Sequence, residues 1–185
     1  MFSANATLGA NRWPVVRLVA GSRTEVMLLS SSFFAITTHW HKCTLPCCGQ
    51  ECKLCELLPA RGLFYAAVVC NSRVSILELG SQSSSLFEQH AKVLHGGMRP
   101  GLVFELTRRG AKTPVRSEVI REVEKCTEVV QLDLAAHVMA LYKFPCPNPC
   151  ETIETYERRC RSVAKARCDR TVELILNVRD RQAAR

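Results

Sequence analysis

The chain lacks any long apolar run. None approaches the ~18 residues of a membrane helix, so no span is predicted. The N-terminal stretch "MFSANATLGANRWPVVRLVAG" lacks a basic region followed by an apolar one, so no secretory signal is read and a reducing cytoplasm is expected. H-E-x-x-H, G-x-S-x-G and a Walker loop are all missing. The zinc-deaminase pattern fails too. "HAK" at His90, "HVM" at His137 and "HWH" at His39 lack the glutamate, and "PCPNPC" spaces its cysteines one residue too far. The basic strands show no clustered carboxylates for a nuclease metal pair. No enzyme is predicted. Internal repeats and low-complexity segments are also missing.

Cysteine and positive charge are abundant. Twenty-five Lys and Arg against seventeen Asp and Glu give a net charge of +8, which suits an anionic partner such as nucleic acid or an acidic membrane surface. At 185 residues and 47% hydrophobic, the chain can bury a real core as one ordinary domain, so it needs no disulfide staples. Its cysteines number eleven, which is odd, and disulfides are rare in a reducing compartment. Metal ligation is the better use for them. Five cysteines and two histidines crowd into "HWHKCTLPCCGQECKLC", residues 39 to 55. Cys52 and Cys55 have the C-x2-C spacing of a zinc knuckle. Two further ligands must come from His39, His41, Cys43, Cys47 and Cys48, and Gly49 supplies a residue free to turn tightly. Four protein ligands make a structural site with no open position. Cys70, inside "YAAVVC", reads as a small buried hydrophobe. Cys146, Cys150, Cys160 and Cys168 read as unlinked cysteines on a surface helix and loop rather than as a second metal site.

Strand patterning dominates the first two-thirds. "PVVRLVA" (14 to 20) and "EVMLLSSSFFAITT" (25 to 38, one long strand or a bent pair) precede the cysteine cluster. "GLFYAAVVCNSRVSILELG" (62 to 80) reads as two strands joined near Asn71 and Ser72. A helix follows in "SLFEQHAKVLHGG", with a capping box of Ser85 and Glu88, a stripe of Leu86, Phe87, Ala91 and Leu94, and a stop at Gly96-Gly97. "GLVFELTRRGAKTPVR" (101 to 116) reads as strand, basic turn, strand. From residue 117 the spacing turns helical, with Leu134, Ala135, Val138, Met139 and Tyr142 on one face and later Ile153, Tyr156, Cys160 and Val163. The expected class is mainly β (α+β): a five- to six-stranded OB-fold barrel over residues 1–120, a zinc knuckle inserted at 39–55, and a helical C-terminal region over 121–185.

The cations cluster. Arg17 and Arg23 fall in the first strand and its turn, Lys42 and Lys53 flank the cysteines, and Arg61 and Arg73 flank the next strand pair. Arg108, Arg109, Lys112 and Arg116 crowd the late hairpin. Trp40 and the pair Phe64-Tyr65 interleave; neighbouring strand residues face opposite sides, so one of that pair is expected outside the core, while Phe104 reads as core. A basic groove with aromatic platforms is how proteins hold single strands with little sequence preference.

The series "VVRLVAG … FFAITTHWHKC … PCCGQECKLC … LFYAAVV … VSILELG … SLFEQH" resembles the T-even phage single-strand-binding protein family and its zinc-containing OB-fold relatives. "VVRLVA" looks like its first strand, "FFAITTH" like its strand ending in His, "CKLC" like its knuckle, and "LFYAAVV" like its aromatic strand. Matched residue by residue, the resemblance implies His39, Cys47, Cys52 and Cys55 as ligands of a structural zinc. It also implies a cleft that admits single-stranded DNA and excludes the wider duplex. Trp40 and Tyr65 would stack on bases, and Lys42, Lys53, Arg61, Arg73, Arg108, Arg109 and Lys112 would meet phosphates. Replication or recombination proteins are further expected partners, and the expected setting is a cytoplasmic, nucleoid-associated one in a bacterium, phage or plasmid system. The end "RDRQAAR" is basic, so recruitment through an acidic tail is not expected. A zinc-ribbon module meeting an acidic protein or duplex is the alternative.

Overall fold

The stretch "ARGLFYAAVVCNSRVSILELG" forms two strands, β5 (Ala60–Cys70) and β6 (Arg73–Gly80), paired from Leu63↔Gly80 to Cys70↔Arg73. Asn71 and Ser72 make the turn with φ of 49° and 60°. Two left-handed residues match the twist of the flanking strands, and Asn adopts that conformation more readily than most residues. In the computed structural model, which describes residues 12–183, the other strands are β1 (Val15–Val16), β2 (Ser22–Leu28), β3 (Phe34–His41), β4 (Cys43–Pro46), β7 (Leu102–Arg108) and β8 (Arg116–Glu122). The helices are α1 (Leu54–Leu57), α2 (Ser81–His95), α3 (Gln131–Leu141) and α4 (Ile153–Ala183).

The protein is mixed α/β, with a mostly open eight-stranded sheet and a long C-terminal helix. The main path runs β1-β6-β5-β2-β7-β8, with β3 and β4 off it. β2 is central: it pairs antiparallel with β7 from Ser22↔Arg108 to Met27↔Val103, and with β5 at Met27↔Val69 and Leu28↔Val68. The path does not close into a barrel, because among the described residues β1 and β8 end it without pairing to each other. The free edge of β6 is taken instead by β1, which runs parallel to it at Val15↔Ile76 and Val16↔Leu77. Residues 117–122, expected to begin a helical stretch, continue strand β8: Ser117 is buried while its neighbours face out.

The chain divides into two compact units, Met1–Ala35 with Leu63–Val138, and Ile36–Gly62 with Met139–Arg185. This differs from the expected split near residue 120. The cysteine-rich segment falls in the same unit as the C-terminal helix.

In the first unit, Val26, Leu28, Ala66, Val68, Leu77, Leu79, Leu102, Phe104 and Leu106 form the core under α2. Phe87 of α2 stacks on Phe104 at 4.0 Å between centroids. Two polar links hold α2 to β8 and the residue before it: Ser83 Oγ accepts the Val115 amide (3.0 Å), and His90 Nδ1 donates to the Ser117 carbonyl. The helix starts four residues before the expected capping box. Gly80 is its N-cap, and the Ser84 and Ser85 hydroxyls donate back to the Ser81 carbonyl at 2.9 Å. It stops where expected: Gly96 is left-handed (φ 74°), and the Gly96 and Gly97 amides reach the carbonyls of Lys92 and Ala91.

In the second unit, α4 buries Tyr156, Cys160, Ala164, Cys168 and Val172, one residue per turn. This stripe continues the expected Tyr156–Cys160 line but bypasses Val163. Its C-terminal half closes over the knuckle, where Cys52, Leu54, Cys168 and Val172 form a small core with Leu45, Leu57, Leu58 and Ile175 around it.

Candidate metal centre

The second unit builds its site on a tight hairpin. β3 and β4 pair at His39↔Leu45, Trp40↔Thr44 and His41↔Cys43, with Lys42 at the tip in a left-handed turn (φ 58°). Strand alternation sends His39 inward, where it is buried, and Trp40 outward, where it is 60% exposed. The chain then folds back: the Cys47 amide donates to the Thr37 carbonyl at 2.8 Å. Gly49, at φ 100°, makes the knuckle turn that the sequence anticipates, and its amide donates to Cys47 Sγ at 3.4 Å. The Cys52 amide returns to the Gly49 carbonyl, and the Cys55 amide to the Cys52 carbonyl. These bonds aim three sulfurs and one imidazole at a common point.

Cys47 Sγ and Cys55 Sγ lie 3.7 Å apart, and His39 Nε2 lies 3.5 Å from both Cys52 Sγ and Cys55 Sγ. All four ligand atoms fall within 4.8 Å of one another. A tetrahedral zinc has edges of about 3.8 Å between sulfurs and about 3.6 Å from sulfur to nitrogen. The donor set fits zinc in type, and these three edges fit it in size. With Nε2 facing the sulfurs, the second ring nitrogen, Nδ1, is buried without a hydrogen-bond partner among the described residues. The group could hold a metal, and it is the same four residues that the family resemblance implies.

The thiols differ sharply. Burial, joined by the neighbouring thiols, pushes Cys47 up to about 12. Burial would raise Cys52 too, but the Cys48 and Leu54 amides and the Cys47 and Cys48 thiols outweigh it and bring it down to about 6.

A second group lies beside the first. Cys48, Cys52 and Cys168 also bring their sulfurs within 4.8 Å of one another. Cys168 is buried on α4 and donates to the Pro46 carbonyl at 3.5 Å, so it is not an unlinked surface cysteine. The sequence signal for it was the one-per-turn stripe of α4 read past Cys160. Cys146 and Cys150 are exposed and join neither group, nor do His41 and Cys43. Cys70 is buried in the first unit's core, as expected.

Comparison with protein-family models, with curated proteins and with solved structures finds no match.

The expected nucleic-acid contacts divide between the units. Trp40, Lys42, Lys53 and Arg61 are exposed in the second. Arg73, Arg109 and Lys112 are exposed in the first. Two residues do not fit the role. Tyr65 is wholly buried and donates its hydroxyl to Glu78 at 3.2 Å, so no base can stack on it. The expectation failed because β5 is covered on both faces: Tyr65 and Ala67 are as buried as Ala66 and Val68. Arg108 is half-buried, and its guanidinium donates to the carbonyls of Leu18 (2.8 Å) and Ala111, so it braces a turn. Arg17 and Arg23 are paired with Glu78 and Glu105. Among the described residues no helix is long and apolar enough to cross a membrane.

Proposed function

We propose that the protein binds single-stranded DNA with little sequence preference, through an OB-type sheet and a loop stiffened by structural zinc. The observation that carries this reading is the strand order. The path β6-β5-β2-β7-β8, with α2 between β6 and β7 in the chain, is OB-fold order with its last pairing left open. Such folds are partly open, and they bind oligonucleotides with the connections after their first and fourth strands. Here β2 and β7 stand as those strands. The connection after β2 carries Trp40, Lys42 and Lys53, with Arg61 just beyond it. The connection after β7 carries Arg109 and Lys112. Trp40 offers a stacking face worth about 1–3 kcal/mol per base, and the cations offer salt-dependent phosphate contacts. When bound, zinc holds the loop in shape and does no chemistry on the strand. The resemblance to the T-even phage family points to the same function, in a replication or recombination setting in the cytoplasm, although it takes "VVRLVA" as the first strand, where the chain forms only the two-residue edge strand β1.

The test is fluorescence anisotropy with a labelled oligothymidine of about 20 nucleotides at two salt concentrations, with duplex as competitor. Tight, salt-sensitive binding that duplex barely competes supports the proposal. Absent binding, or equal preference for duplex, refutes it. The second outcome favours the zinc-ribbon alternative, which the covered outer face of β5 also favours, since Tyr65 and Ala67 offer no open groove.

A further inference from the structure

The two groups of the second unit together hold six soft ligands, and one of them belongs to both. Cys52 lies with His39, Cys47 and Cys55 on one side and with Cys48 and Cys168 on the other. Three sulfurs within 4.8 Å is a ligand spacing, and these three come from three places in the chain: the turn before Gly49, the knuckle, and the fifth turn of α4. Leu54 and Val172, both buried, cover them, and Cys52 and Cys168 are themselves buried. An apolar enclosure that holds several thiols is an expensive place for thiolates unless a cation neutralises them.

We propose that Cys48, Cys52 and Cys168 form a second metal site, in which Cys52 bridges two thiophilic divalent ions of the zinc class. The inference rests on the reading of the first group as a zinc centre. Charge favours the shared sulfur. One divalent ion on three thiolates and a neutral imidazole leaves −1. Two ions on five thiolates leave −1 again, whereas two separate three-thiolate sites would leave −2. On binding, each coordinating thiol that is still protonated releases its proton to solvent. The second ion takes three sulfurs and keeps one position for water. It also fastens α4 to the knuckle at Cys168, beside the Lys165–Glu51 ion pair that links the same two segments.

The experiment is cadmium titration of the reduced, metal-free full chain, followed by elemental analysis and by cadmium NMR. Two equivalents and two mutually coupled resonances are expected for the parent. Cys168→Val, which keeps the apolar cover, and Cys48→Ser, at a half-exposed position, are each expected to bind one equivalent with a single resonance. A parent that binds one ion, with stoichiometry unchanged in both variants and lost in Cys47→Ser, overturns the second site and leaves the first standing. A parent that binds none overturns both. Two uncoupled resonances overturn the bridge.

Discussion

Leu54 carries no ligand atom, yet replacing it with alanine is predicted to weaken zinc binding by more than an order of magnitude. Leu54 is wholly buried between Cys52 and Cys55, in a core shared with Cys168 and Val172 of α4. Truncating a fully buried leucine costs about 2–5 kcal/mol. If the knuckle takes its shape only with the ion, that cost falls on binding, because metal affinity and folding are then one equilibrium. At about 1.4 kcal/mol per decade, the zinc dissociation constant rises roughly 30- to 4,000-fold. Competition with a chromophoric chelator measures the shift, and circular dichroism of the zinc-loaded variant checks that it still folds. Leu54→Met, which conserves volume, loses less than about 1.5 kcal/mol and is expected to stay within about tenfold of the parent. The reasoning is refuted if Leu54→Ala binds zinc within about threefold of the parent while its metal-free form melts earlier. The site would then be preformed and the core would act on it only as a frame.

Other outcomes follow from single residues. Trp40→Ala is expected to leave the melting temperature nearly unchanged, since the ring is exposed, while lowering oligothymidine affinity by about 1–3 kcal/mol in anisotropy; equal affinity removes Trp40 from the site. Tyr65→Phe is expected to do the reverse, costing about 1 kcal/mol in denaturant melts and nothing in strand binding. Arg109→Ala with Lys112→Ala is expected to flatten the plot of log affinity against log salt by about 1.4, or about 0.7 per lost phosphate contact, and an unchanged slope excludes that loop. Arg159, through its fork to Glu151 and with the Asn148 amide also donating, holds the Glu151 carboxyl below its usual range. The stabilisation is therefore full above the unfolded value of about 4.3 and is lost as pH falls through the lower folded value. Thermal melts of Glu151→Gln should show a smaller fall in stability between neutral pH and about pH 3 than the parent shows.

Local chemistry was legible in the sequence, and long-range coverage was not. The C-x2-C pair, the strand-terminal His39 and the turn at Gly49 all lie within one short segment, and the structure brings the four resemblance-implied ligands to one point. The β5–β6 hairpin and the stop of α2 were equally local, fixed by Asn71-Ser72 and Gly96-Gly97. Tyr65 failed because alternation says which residues share a face, not whether the other face is open. Arg108 failed because a cation in a turn can bind carbonyls as readily as phosphates, and only the fold brings Leu18 to it. Barrel closure was decided by β1, two residues long, whose parallel pairing with β6 leaves no periodic mark. Cys168 was missed because its partners lie far back in the chain, and no spacing rule spans that distance.

That distance sets an order of events during synthesis. The four ligands of the first group and the hairpin that aims them leave the ribosome together. The helix that covers them comes much later, and at about 5–20 residues per second Cys168 emerges roughly 5–25 s after Cys55. For that interval the knuckle has its thiols but lacks its apolar roof, while the strands from β5 to β8 are being made in between. A nascent chain that takes up an ion in that interval has three of the segment's five sulfurs, those of Cys47, Cys52 and Cys55, occupied before α4 is made. One that does not must keep five cysteines reduced in the open until α4 arrives.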